Sequence, residues 1–101
     1  MVYSVQQIKY EILAYIKEFG GDFRDWYIGI AADPRKTLFE HHSVHKDDDI
    51  WLYKQALTFA ACRTVQTYFL AILKVDGLLV TDGTEDTDCV YLYKKSDRTI
   101  P

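Results

Sequence analysis

Three histidines fall within five residues: His41, His42 and His45 follow directly on Glu40. His41 and His45 stand four apart, so on a continuous helix both imidazoles share one face and could ligate a single divalent ion. The run Asp47-Asp48-Asp49 just beyond offers oxygen ligands. No cysteine or third spaced ligand completes a set, and a helix stopping near His42 would separate the two imidazoles. His41 and His45 are the metal candidates the sequence offers. The competing reading, a solvated helix end where a protonated histidine favours the negative dipole terminus, accounts for them better.

A second group is aromatic. Trp26, Trp51, Tyr53, Tyr91 and Tyr93 could form a stacking platform for bases, with Arg24, Arg35, Lys36, Lys46 and Lys54 as the nearby cations. Aromatic residues are equally at home packed on a strand or set in a protein interface, and both alternatives stay open. The acidic run Asp82-Gly83-Thr84-Glu85-Asp86-Thr87-Asp88 alternates oxygen ligands, but its glycine is misplaced for a calcium loop and no bidentate glutamate follows. It reads as an exposed loop. Cys62 and Cys89 read as small core residues without a base to activate them. No Ser/His/Asp triad, phosphate-binding glycine loop or dinucleotide fingerprint is present.

The elements that must position these residues are well signalled. Ser4 with Gln7 three residues on is a capping-box pattern. Val5, Ile8, Ile12, Tyr15, Ile16 and Phe19 then recur at helical spacing, and Gly20-Gly21 ends the helix. Trp26 to Ala31 reads as a strand, with Trp26, Ile28 and Ile30 on one face and Tyr27 and Gly29 on the other. Asp33-Pro34 suits the start of a short helix running to about His42. Ile50 to Lys54 makes a second strand, and Thr58 caps a long helix reaching Leu73 or Lys74. That helix is apolar on nearly every side, as expected between two layers or in a subunit interface. Lys74 to Asp88 reads as loop and Cys89 to Lys94 as the third strand, with Val90 and Leu92 facing away from Tyr91 and Tyr93. The tail from Lys95 to Pro101 is expected to fray.

The chain's 101 residues fit one small domain. With 49% apolar and 27% charged residues it has a globular rather than a disordered composition. Its net charge of −3 supplies no global attraction to nucleic acid, so nucleic acid is a possible but disfavoured partner. The stretch from Leu57 to Leu73 is too short and too polar for a membrane span, which needs about 20 predominantly apolar residues. With no secretory signal at the start, a cytoplasmic location is expected. The expected fold is α+β: a small three-stranded, largely antiparallel sheet with helices on one face, in the order α-β-α-β-α-β, and one tyrosine-rich face partly open.

Tyr27-Ile28-Gly29, then Asp33-Pro34, then His41 twelve residues after Gly29, resemble the core of the GIY-YIG nuclease domain. The likeness spans Trp26 to Phe69. That family is a small α+β module on a three-stranded sheet. The resemblance implies tyrosines beside a scissile phosphate, an arginine and a histidine or asparagine on the helix after the YIG strand, and a metal-binding glutamate on a later helix. Tyr27 and Gly29 match the strand and His41 the helix. Thr37 stands where the arginine is expected and Gln66 where the glutamate is expected, and a neutral amide cannot supply the charge that holds a hard cation. The GIY strand is missing upstream; Val90 to Tyr93 could fill its slot as in a circular permutation, with Tyr91 or Tyr93 as the family's first tyrosine. Losing one electrostatic stabiliser costs on the order of 100- to 1,000-fold in rate, and two are absent. The expectation is therefore a non-catalytic binding or interaction module without a cofactor. It would meet a protein partner, a second copy of itself, or nucleic acid through Arg35, Lys36 and Tyr53. The alternative is a metal-dependent endonuclease with residual activity, using Mg or Mn.

Overall fold

The computed structural model describes residues 1 to 101. The capping box forms as expected: the Gln7 N–H donates to Ser4 Oγ at 3.1 Å and the Ser4 N–H to Gln7 Oε1 at 2.8 Å. It opens helix α1, Val5–Phe19, whose Ile8, Ile12 and Ile16 are buried at four-residue spacing. Gly20 and Gly21 follow at positive φ, the backbone that ends the helix without a Cβ penalty. A 3₁₀ turn, Phe23–Asp25, leads into strand β2, Trp26–Ala31. Asp33 accepts from the Lys36 N–H at 3.2 Å and Pro34 occupies the first turn of a short helix α2, Pro34–Lys36, which runs on as a π-helical turn, Thr37–His41. Strand β3 is Trp51–Ala56, helix α3 is Phe59–Ala71 capped by Thr58 on the Ala61 N–H at 3.0 Å, and strand β4 is Cys89–Lys94.

The α+β class holds, but the sheet differs from the expected one. A strand β1, Val2–Tyr3, pairs parallel with Gln55 and Ala56 of β3, so the sheet has four strands in the order β1-β3-β4-β2 and is mixed rather than antiparallel. Two residues carry no alternation, which is why periodicity misses this strand. The other ladders are antiparallel, with Gly29 opposite Tyr91 and Tyr53 opposite Tyr91 from the other side.

Nor do all helices lie on one face. α1 and α3 cover the aliphatic face, where Trp26, Ile28, Ile30, Val90 and Leu92 pack with Cys62, Val65 and Phe69. α2 and the chain after it cover the tyrosine face, burying Leu38 and Val44 with Tyr27, Tyr91 and Tyr93. The face expected to be partly open is thus largely closed. The last seven residues do not fray: the Lys95 N–H donates to the Asp25 carbonyl at 2.7 Å, the Ile100 N–H to the His42 carbonyl at 2.7 Å, and Thr99 is buried. The stretch after α3 is not free loop throughout either. Asp76 bridges to the outer edge of β2, its N–H donating to the Trp26 carbonyl and its carbonyl accepting from the Ile28 N–H, both at 2.9 Å. No helix is long and apolar enough to cross a membrane.

Candidate functional site

Strand alternation puts Tyr27, Tyr91 and Tyr93 on the same face, and the ladder brings them side by side. The Tyr27 ring stacks with Tyr93 at 5.2 Å and with Tyr91 at 6.4 Å between centroids, both at 21°. Gly29 makes room for this: a Cβ there would overlap the Tyr91 ring. The glycine of the Tyr-Ile-Gly strand therefore has a packing role that can be stated without any ligand.

The histidine that meets these tyrosines is His42, not His41 or His45. Pro34, Leu38 and His42 recur every four residues and are all buried, so α2 and the π turn that continues it bring them together onto the sheet. The π turn closes with the His42 N–H on the Thr37 carbonyl at 3.1 Å, and Ser43 then adopts a left-handed backbone that stops the helix. His42 Nδ1 lies 2.6 Å from the Ile100 carbonyl, which can only accept, so Nδ1 carries the proton. Nε2 must then accept from the Tyr91 hydroxyl at 2.8 Å. The Tyr93 hydroxyl sits 3.1 Å from the same Nδ1 and donates to the Ile100 carbonyl at 3.4 Å. One backbone carbonyl from the tail thus sets the tautomer for the whole cluster.

Its electrostatics follow from enclosure. Burial lowers the His42 pKa, the bond to Ile100 opposes that, and neighbouring His41 adds to it, so the ring is neutral at pH 7. Burial, and then the Tyr27 phenol, push Tyr91 well above the usual tyrosine range. Burial, Tyr27, Tyr91 and Asp76 do the same for Tyr93. Tyr27 is raised by burial and by Asp76. None of these phenols is poised to give up a proton near neutral pH.

The remaining expected site residues lie elsewhere. His41 is exposed, and Thr37 is half-buried within the π turn. His45 is exposed and pairs with Asp48 at 3.1 Å instead of sharing an ion with His41, because Ser43 breaks the helix between them. No three His, Cys, Asp or Glu side chains gather as a metal cluster. Gln66 is buried on the opposite, aliphatic face, on α3. Its Nε2 donates to the Ile28 carbonyl at 3.2 Å and the Leu78 carbonyl at 2.9 Å, and its Oε1 accepts from the Val80 N–H at 3.0 Å. An amide is the one side chain able to meet that donor and acceptor set, and a carboxylate is not. The residues present do not fit the divalent ion that the nuclease resemblance implies. The two thiols are also quiet: burial pushes Cys62 up to about 12 and Cys89 up to about 11.

Outside the closed cluster the same face carries a more open aromatic patch. Trp51 stacks on Tyr53 at 6.3 Å and 10°, and Phe39 meets Trp51 edge-on at 5.0 Å. The Arg35 guanidinium lies over both Phe39 and Trp51, at 5.4 and 5.7 Å. Lys36 is exposed beside it in sequence. Of the expected binding residues, Arg35 and Tyr53 belong to this more accessible patch and Lys36 is exposed, while Tyr27, Tyr91 and Tyr93 are buried. In comparison with known proteins the chain matches no family model, no curated protein and no solved structure.

Proposed function

We propose that the chain is a non-catalytic interaction module resembling a degenerate GIY-YIG-like domain, without that family's chemistry. A single observation carries this reading: Tyr91, Tyr93 and Gln66, which the nuclease resemblance would place around a phosphate and its metal, are all buried and bonded to groups of the protein itself. A reacting phosphate would have to displace those bonds.

The contact surface in this reading is the patch of Arg35, Phe39, Trp51 and Tyr53, built from residue types that dominate binding energy in protein interfaces. The neighbouring strand edge favours a protein partner. The Lys94 N–H donates to the Ile50 carbonyl and the Ala56 N–H to the Asp88 carbonyl, so even-numbered residues of β3 bond toward β4. Ladder alternation turns the backbone groups of Trp51 and Tyr53 the other way, and β1 reaches only Gln55 and Ala56. The Trp51 carbonyl accepts from the Tyr15 hydroxyl at 2.8 Å, which leaves the edge at Tyr53 able to receive an extended segment of a partner.

Incubation with supercoiled plasmid and magnesium or manganese tests the non-catalytic reading. The plasmid is expected to stay intact. Nicking by the wild-type chain that is lost in Tyr91→Phe would overturn the proposal and leave the endonuclease alternative.

A further inference from the structure

A second surface, on the far side of the molecule from β1, has a different chemistry. Arg24 of the 3₁₀ turn, Lys74 after α3 and Lys95 after β4 line one cleft together with Asp76 and Gly77. Three cations and one carboxylate share this cleft in a chain of net charge −3, so positive charge is concentrated here against the average. Lys95 pairs with Asp76 at 3.0 Å, while neither Arg24 nor Lys74 makes an ion pair.

The walls are held by backbone bonds. Asp76 is laddered to the β2 edge, and the Lys95 N–H is fixed on the Asp25 carbonyl. The end of α3 sets the third cation. Lys74 has φ 63 in the turn that ends α3, where the Val75 N–H donates to the Phe69 carbonyl at 3.0 Å. Glycine takes that backbone without steric penalty and lysine does not. That backbone is the left-handed cap that ends α3, and it leaves the exposed Lys74 side chain lining the cleft with Arg24 and Lys95.

We infer that this cleft binds a phosphate group: Arg24 supplies a planar pair of donors, and Lys74 and Lys95 supply compact charges on either side. Asp76 orients Lys95 and limits the site to one phosphate. The group can belong to a nucleic-acid backbone or to a small phosphorylated molecule, and the inference is independent of the partner surface proposed above.

The test is an amide NMR titration with inorganic phosphate, ionic strength held constant with chloride. Saturable shifts are expected at Arg24, Lys74 to Gly77 and Lys95, and absent at Trp51 and Tyr53. Lys74→Gly is expected to bind phosphate roughly tenfold more weakly, the effect of one charge-assisted hydrogen bond, while its melting temperature rises. Arg24→Gln is expected to weaken binding similarly. A mixed-sequence DNA duplex that displaces phosphate from these amides assigns the group to a nucleic acid; phosphate retained against duplex but displaced by ADP assigns it to a small molecule. Shifts no larger than those from chloride, or a Lys74→Gly variant that binds as tightly as wild type, would overturn the site.

Discussion

On the side of the sheet covered by α1 and α3, isoleucine, valine, leucine and phenylalanine pack with a single buried polar side chain, Gln66. On the side covered by α2 and the tail, three tyrosines and a histidine are stacked and hydrogen-bonded, and the bonds cross from residue 42 to residues 91, 93 and 100. The first region depends on removal of apolar surface from water, which is non-directional and tolerates small shifts. The second depends on directed bonds among buried polar groups, which must all be satisfied together. The same sheet therefore carries one face that resists by packing and one that resists by connectivity.

Truncation of the aliphatic side should cost the most. Phe69→Ala is expected to destabilise by about 3–5 kcal/mol, read from urea denaturation, because a fully buried ring is lost and α3 cannot collapse onto the gap. Gln66→Leu is expected to cost about 3 kcal/mol: the shape is nearly kept, but the Leu78 carbonyl and the Val80 N–H lose their partner. Retention of full stability in Gln66→Leu would mean that the segment after α3 is not held through this amide.

On the tyrosine side, Gly29→Ala is expected to cost about 1–3 kcal/mol, as the new Cβ forces the Tyr91 ring off its position. The NMR signals of Tyr91 and His42 should move with it, and an unperturbed His42 would uncouple the ring from the cluster. Tyr91→Phe should cost about 1–2 kcal/mol by leaving His42 Nε2 without a donor.

The smallest effect is the most diagnostic of connectivity. Burial holds the folded pKa of His42 below its unfolded value, so the unfolded chain takes up the proton first as pH falls. The stability contribution is level above about pH 6.5 and declines below it, by at most about 1.4 kcal/mol per pH unit, until the folded ring also protonates. Melting temperature is expected to fall between pH 7.5 and 5.5 in the wild type, with a shallower fall in His42→Gln. Equal slopes in the two proteins would show that the histidine does not titrate with folding.

Much of the fold was legible because its signals are local. The Ser4–Gln7 box, the Asp33 and Thr58 caps and the alternation of Trp26 to Ala31 and Cys89 to Lys94 each involve residues a few positions apart, and all appear as read. The site was less legible. His41 was singled out by its distance from Gly29, whereas the spacing of Pro34, Leu38 and His42 carried the correct face all along. Val2–Tyr3 was missed because two residues form a strand only when β3 is already present beside them.

By itself, the sequence determined the α+β class, the starts of the helices and the separation of aliphatic from tyrosine faces, since propensity, capping and periodicity act within one or two turns of chain. The long helix ends at Ala71, short of the expected Leu73 or Lys74. Only the tertiary structure decided that the tyrosine face is closed, that His42 is the histidine within it, that Gln66 clamps backbone instead of facing a ligand, and that Arg24, Lys74 and Lys95 meet at one cleft. Each of these depends on groups brought together across the fold, from 12 to 58 residues apart for the His42 and Gln66 contacts, and no local pattern encodes which distant partner will satisfy a buried polar group.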